Sequence, residues 1–361
     1  VVTGMAFLLG FTTVTISHNT VTFANKYGIQ VSEASRARIA SNLSTDNLNH
    51  GIAVTTSVTD CVIEGNESAR NAVPGTRSAN GLYLYGASTC LVQRNRWHDN
   101  QDTGEHIQQG TNNISIGNLS WNNGDHGFDH LFATGTKHIG DVAYGNFKDG
   151  FSIEGSSPGS QLTNCIAVNN GLTTSEFNLW VDSASSVSFE SNDNLFWNST
   201  SQQPIKYIST VYSTIAAFSA TTGKDTRSIQ SDPRFVTPAS GNFHLQAGSP
   251  AIDNANSSVP NWPATDAEGL ARRDDSGTPN TGLGPVVYAD RGALEYQPAG
   301  LPPLAVLIAT PAIGTAPAVI TLNASGSSDP DGSIVQYLFD FGDGTSSGPQ
   351  AGATAVHTYA A

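Results

Sequence analysis

Short runs in which hydrophobic and polar residues alternate recur down the chain, as in Thr13-Val14-Thr15-Ile16 and Leu162-Thr163-Asn164-Cys165-Ile166-Ala167-Val168. A period of two is the pattern of a half-buried strand, and no helical period competes with it. Six such runs are marked by a glycine: Tyr27-Gly28-Ile29, His50-Gly51-Ile52, Asn80-Gly81-Leu82, Thr103-Gly104-Glu105, His126-Gly127-Phe128 and Asp149-Gly150-Phe151. The steps between these glycines are 23, 30, 23, 23 and 23 residues. A fixed period in the low twenties, built from short strands, predicts an all-β fold, a right-handed parallel β-helix of stacked coils. Equal register then sets residues of successive coils side by side, about 4.8 Å apart. The step of 30 predicts an inserted loop of about seven residues near Ala72 to Ser78.

A second ladder runs in step with the first. Asn residues five apart recur at Asn42/Asn47, Asn66/Asn71, Asn95/Asn100, Asn118/Asn123 and Asn164/Asn169, and Asp141/Asn146 fills the missing step. Asparagine tolerates the left-handed backbone of a tight turn and bonds to its neighbours, so a stacked column of it suits a solenoid corner. Cys61 and Cys90 each lie five residues before a ladder Asn and are expected in adjacent coils. A reduced, buried thiol column is expected there, with a disulfide as the alternative.

With each glycine as origin, the residues one and three places after it are mainly apolar and are expected inside. The even positions are then expected to face solvent on one sheet. Two before the glycine they are Asp102, Asp125 and Lys148; two after it, Tyr83, His106, Asp129 and Ser152; four after it, Tyr85, Gln108, Leu131 and Glu154. Thr103, His126 and Asp149 stand one before. Acids, histidines, a lysine and aromatics thus gather on three or four neighbouring coils, whereas the first two coils offer Gln30, Ser32, Ala53 and Thr55. Asp102 and Asp125 in adjacent coils repel each other unless a positive charge holds them. Glu105 and His130 interrupt the inward columns: either they act inside the coil or a distorted strand turns them outward.

Composition narrows the setting. Charged residues make up only 13 % of the 361, against a patterned 38 % of hydrophobic ones, as in an extracellular β-solenoid. The net charge of −14 argues against a nucleic-acid partner, which requires a basic footprint. An acidic polysaccharide remains a suitable partner if a cation bridges it to the protein. The longest apolar run, Met5 to Phe11, is too short to insert in a membrane and is expected as a buried first turn. Strand-like sequence begins at once from Val1 with no signal peptide, so the chain is expected to be a processed or partial form of a secreted or cell-surface protein of bacterial type, and a monomer.

The coils are assigned to residues 1–200. Ser231-Asp232-Pro233-Arg234-Phe235, Gly241-Asn242-Phe243-His244-Leu245, Gly248-Ser249-Pro250-Ala251-Ile252-Asp253 and Asp290-Arg291-Gly292-Ala293-Leu294-Glu295-Tyr296 follow in turn. This succession resembles the tail of many bacterial secreted β-helix proteins, which implies last coils and an end cap over 201–296. Residues 297–303 form a Pro/Gly linker. Beyond it, Ala324-Ser325-Gly326-Ser327-Ser328-Asp329-Pro330-Asp331-Gly332 and Tyr337-Leu338-Phe339-Asp340-Phe341-Gly342-Asp343-Gly344 resemble a PKD domain, a small β-sandwich, over 304–361. The family's last strands are missing, so the resemblance implies a partial copy. Its Asp residues are expected in turns and strand ends rather than on a cation.

Asn122-Asn123-Gly124-Asp125-His126-Gly127-Phe128-Asp129 resembles the Asn-rich, Asp-Asp-Gly-aromatic-Asp turn of polysaccharide lyase family 9, a family of β-helix pectate lyases. The resemblance spans about residues 95–170. It implies that Asp102, Asp125 and Asp129 bind Ca²⁺, with His126 replacing the second Asp of the pair. The family's lysine base falls on Ser152, and Lys148 lies four residues upstream. An enzyme that removes the proton α to a uronate carboxylate is therefore expected, with Ca²⁺ stabilising the charge that builds there. Lys148, His126 and Glu154 are its candidate catalytic residues, and Tyr83, Tyr85, His106, Gln108 and Ser152 its candidate substrate contacts. Two other readings stay open. One is a glycoside hydrolase using acids one or two coils apart, such as Asp102 with Asp125 or Asp125 with Glu154. The other is a carbohydrate-binding or adhesive solenoid without catalysis.

Overall fold

The computed structural model of the chain describes residues 5–8, 13–73, 75–297, 303–329 and 333–360. Pro74 in the inserted loop, linker residues 298–302, residues 330–332 and the burial expected over Met5–Phe11 lie outside them. Two compact units are present, Val1–Tyr296 and Gln297–Ala361.

The first unit is a right-handed parallel β-helix of eight coils. Its first sheet has ten strands, from Met5–Leu8 to Thr210–Tyr212; the second and third have eight each, from Thr15–Ser17 to Glu190–Asn192 and from Thr20–Thr22 to Leu195–Trp197. Apart from Thr210–Tyr212, each strand pairs in parallel with the equivalent strand of the next coil, and the glycine step sets the register: Leu82, Glu105, Phe128 and Phe151 are successive partners. Side chains one and three after the glycine fill a continuous interior, with Ile29, Val31, Ile52, Val54, Leu82 and Leu84 fully buried. The glycines are required by close approach. A Cβ on Gly104 would stand 2.0 Å from Ser120 Oγ and 2.8 Å from the Gly127 carbonyl. Ser120 uses that proximity, donating to the same carbonyl at 2.8 Å.

The Asn ladders are internal. Asn66 donates to Asn95, Asn95 to Asn118 and Asn118 to Asp141, while Asn71, Asn100, Asn123, Asn146 and Asn170 form a parallel series. At these corners the residue immediately before each ladder position is left-handed: Arg94 and Asp99, Gly117 and Asn122, Gly140 and Gly145. One extra residue after Asp141 slips this phase. Asn164 and Asn169 therefore take the left-handed places, at φ 60° and 56°, and Asn170 takes the ladder place. The expected membership of Asn164 and Asn169 in the columns is corrected accordingly. Cys61 and Cys90, with Cα atoms 4.5 Å apart, form a disulfide, which corrects the expected thiol column: adjacent coils bring the two within bonding range. Cys165 is free and buried.

The expected end cap divides into two parts. Strand Thr210–Tyr212 turns antiparallel onto Ile205–Tyr207, and helix Ile215–Thr222, capped by Thr214, lays Ile215 and Phe218 on Phe189, Phe196 and Ile205. The remainder lies along the third sheet instead, with Phe235, Phe243, Leu245, Ile252 and Leu294 against Leu119, Trp121, Val142, Ile166 and Leu195. An open sheet edge needs cover, and a few residues of strand and helix suffice for it. No helix of the described residues is long and apolar enough to cross a membrane.

In the second unit, Ile308–Thr310, Ala318–Asn323 and Thr354–Tyr359 form an antiparallel sheet over Ile320, Leu322, Ala324 and Phe339. Asp343 accepts from Thr345 and His357, and Asp340 from the Gly342 amide, so these acids serve turns and strand ends.

Candidate active site on the first sheet

Parallel register builds the site in columns. One column reads Ala53, Tyr83, His106, Asp129, Ser152, Trp180, Lys206; the next reads Thr55, Tyr85, Gln108, Leu131, Glu154. Asp102, Asp125 and Lys148 form a third, joined by Asp125 N–H to the Asp102 carbonyl at 3.1 Å and Lys148 N–H to the Asp125 carbonyl at 2.9 Å. The expectation that the even positions face solvent needs correction at the centre. Asp129 and Ser152 are buried, flanked by the larger His106 and Trp180 side chains, and so form a floor.

Four consecutive members of the first column each bury a polar atom that no protein group satisfies: His106 Nε2, Asp129 Oδ1, Ser152 Oγ and Trp180 Nε1. Buried polar groups are almost always paired, and each exception calls for an explanation. Here four stand in a row on one column. The other face of His106 is oriented, with Nδ1 3.6 Å from Asp129 Oδ2. Burial pulls His106 below the ordinary histidine pKa, more than Asp129 lifts it.

His126 has the opposite character. Its Nδ1 accepts the Asp149 N–H at 3.2 Å, and Asp149 Oδ2 lies 3.3 Å from the same nitrogen. Its Nε2 is 3.8 Å from Asp125 Oδ2. Burial works against its charge, but Asp149, Asp129 and Asp125 outweigh burial and raise the pKa to about 9. His50, also one residue before its glycine, has no carboxylate near it. Burial drops that ring to about 3, and it accepts the Asn80 amide at 3.1 Å. His126 Nδ1 thus accepts a backbone amide as His50 Nδ1 does, while the carboxylates around it raise a pKa that burial alone lowers at His50.

Lys148 Nζ is 2.8 Å from Asp125 Oδ1. Burial disfavours its charge, yet Asp125 prevails and lifts the pKa above the ordinary lysine value. The base role expected for Lys148 therefore finds no support in its surroundings. Glu154 is raised to about 7, by burial first and then by Asp129. Asp102 is raised to about 6, by burial and by the Asp125 and Asp129 carboxylates.

The sequence resemblance implies Ca²⁺ on Asp102, Asp125 and Asp129. Asp125 Oδ1 already meets two cations, Lys148 and Arg77, the latter at 3.2 Å. The donor atoms that converge, within 4.8 Å of one another, belong to His126, Asp129 and Glu154. An imidazole in the set is foreign to calcium, which takes oxygen ligands. Among the described residues the expected set Asp102, Asp125 and Asp129 is not such a converging group, and no step below passes through calcium.

Aromatic groups flank the floor. Tyr83 stacks on His50 at 4.4 Å between centroids and on Tyr85 at 5.7 Å, meets His106 edge-on, and donates its hydroxyl to Gln108 at 2.8 Å. Trp180 lies at the other end with Lys206 Nζ 5.2 Å from its ring. Sequence periodicity does not reveal Trp180, because Asn178 stands where the glycine should be and the step from Ser152 is 28 residues. The alternation Leu179-Trp180-Val181 is the signal that finds it. Arg77 is missed for another reason: it comes from the inserted loop, whose path no period specifies.

Glu105 and His130 point inward, beneath this face. Glu105 accepts from Trp97 Nε1 at 3.1 Å; His130 and His138 join through their Nε2 atoms at 2.9 Å, and His138 Nδ1 meets Asp141 at 2.7 Å. The distorted strand that would turn them outward does not occur.

Residues 6–215 match the family described as the right-handed beta helix region, and residues 301–361 match the PKD domain. No curated protein sequence matches the chain. Among solved structures, pectate lyase Pel9A superposes with a TM-score of 0.51 at 18 % identity, over 77 % of this chain and 70 % of its own. The periplasmic alginate epimerase AlgG gives 0.44 at 19 %, over 55 % and 46 %. The A-module of the mannuronan C-5 epimerase AlgE4 of Azotobacter vinelandii gives 0.35 at 14 %, over 60 % and 53 %. At these identities the likeness is one of fold.

Proposed function

We propose, for a chain that belongs to the right-handed β-helix family and carries a PKD domain after it, that the first sheet is the active site of a secreted polysaccharide lyase acting on a uronate-containing polymer. The observation that carries this reading is His106. Its Nε2 has no partner at the floor of the column, its Nδ1 is turned toward Asp129, and burial favours its neutral form. That is the state a general base requires.

His106 Nε2 takes the proton from the carbon α to the uronate carboxylate, and the electron pair moves onto that carboxylate. The pair then returns to form the carbon–carbon double bond and expels the glycosidic oxygen at the β carbon. Glu154, protonated up to about pH 7, supplies the proton that oxygen needs. Two titratable groups pushed apart by their surroundings identify base and acid. Tyr83 and Trp180 offer sugar-stacking faces on either side. A pectate lyase with the same fold is consistent with an anionic substrate.

One observation favours a second reading. Asp129 and Glu154 place donor atoms within 4.8 Å of each other, close to the spacing of a retaining glycosidase. Incubation with pectic, alginate and neutral glycans separates the two. Near-ultraviolet absorbance of an unsaturated uronide supports the lyase; new reducing ends without that absorbance support the hydrolase.

A further inference from the structure

An anionic polymer laid on a protein of net charge −14 needs a positive side chain that no acid of the protein has taken. Beside the acids of the first sheet, Lys148 and Arg77 both meet Asp125, at 2.8 and 3.2 Å. Lys206 is different. It follows Trp180 in the column of His106, Asp129 and Ser152, and it is half-buried. It makes no ion pair with any described residue, and Glu176 feels its charge only from beyond ion-pair range. Its ammonium lies instead 5.2 Å from the Trp180 ring centroid and 5.8 Å from that of Phe177. Trp180 Nε1 is a buried donor with no acceptor among the described residues. Two neighbouring donors, one of them charged, suit a carboxylate, which only accepts and has two oxygens to offer.

We propose that Lys206 and the Trp180 N–H form a distal subsite that takes the carboxylate of a uronate unit, so that the protein selects its polymer by charge at a place remote from bond cleavage. The proposal rests on the reading of the first sheet as the face that binds a uronate polymer, and not on the identity of the base or the acid. The register gives the reach. Lys206 stands four coils from His106, about 19 Å at about 4.8 Å per coil. A pyranose unit is about as long as one such step, so a chain running along the column brings about the fourth unit beyond the reacting one to Lys206. The two aromatic faces fix the ammonium over the sheet. An ionised carboxylate offers it a stronger, charge-assisted bond, which a methyl ester cannot.

The test uses the whole chain in a His106→Ala background, so that bound oligomers stay uncut. The probes for calorimetric titration are long and short oligogalacturonates, their fully methyl-esterified forms, and oligomannuronates. Lys206→Met should weaken binding of the long ionised oligomers about tenfold, the scale of one charge-assisted bond partly open to water. Short and esterified oligomers should bind as before. Lys206→Arg should restore most of the affinity, and added salt should narrow the gap. Trp180→Phe, which keeps an aromatic face but not the N–H, should cost part of the same affinity, again only with ionised oligomers. Melts of Lys206→Met and its parent should coincide. Equal affinities of these two for every ionised oligomer overturn the proposal, and so does the absence of binding by either uronate class. An equal loss with the esterified oligomers also overturns it, because the contact is then one of packing. The lyase reading is tested apart from this. If Lys206→Met costs affinity while the wild type releases no unsaturated uronide, the subsite stands and the lyase reading falls. If the wild type cleaves and Lys206→Met keeps its KM on long oligomers, the subsite falls and the lyase reading stands.

Discussion

His106 and Asp129 hold adjacent places in one column, and the imidazole Nδ1 stands 3.6 Å from the carboxylate Oδ2. This contact turns the other nitrogen, Nε2, toward the unsatisfied floor and opposes the effect of burial on the ring. Asp129→Asn removes the opposition. The His106 pKa should then fall further, and the acidic limb of the pH–rate profile should move to lower pH as kcat drops. An unmoved acidic limb would show that the carboxylate does not act on this ring.

Glu154 sets the alkaline limb. A proton donor raised to about 7 loses activity as pH rises through that value, so the rate should be bell-shaped and fall above about pH 7. Glu154→Gln should abolish that limb and lower kcat. The same shift acts on stability. The folded pKa lies above the ordinary value of 4.5, so folding disfavours the ionised carboxylate, and the penalty is complete above about pH 7 and absent below about pH 4. Melts of Glu154→Gln should therefore rise relative to wild type at pH 8 and coincide with it at pH 4.

Tyr83 and Trp180 flank the floor at opposite ends of one column. Replacing either with Ala should raise KM for long oligosaccharides by roughly tenfold, the scale of one aromatic contact, with a smaller effect on kcat. Equal KM values on short and long substrates would remove the subsite role.

The bond between Cys61 and Cys90 closes 29 residues of adjacent coils. Cys61→Ser with Cys90→Ser should cost about 2–4 kcal/mol in denaturant unfolding. Identical unfolding of oxidised and reduced wild type would contradict the bond.

The columns were legible because a coil repeats its register: glycines 23 residues apart suffice to put Asp102, Asp125 and Lys148 on one bonded line. The slip at Asn164 was not, since one added residue leaves the spacing of Asn164 and Asn169 intact while moving both to left-handed turns. Trp180 escaped through a missing glycine, and Arg77 through an inserted loop. Chemical roles were the least legible part. The sequence points to Lys148 or His126 as base and to His106 as a substrate contact; burial and the neighbouring carboxylates, which it does not show, raise the pKa of Lys148 and lower that of His106.

The most direct measurement is the rate at which unsaturated uronide absorbance appears from the polymer the wild type cleaves, compared between wild type and His106→Ala at neutral pH in chelator. The account predicts steady product from wild type and a rate about 10²–10⁴-fold lower from the variant, with unchanged melting. Equal rates for the two proteins, or reducing ends formed without ultraviolet absorbance, would contradict proton abstraction by His106.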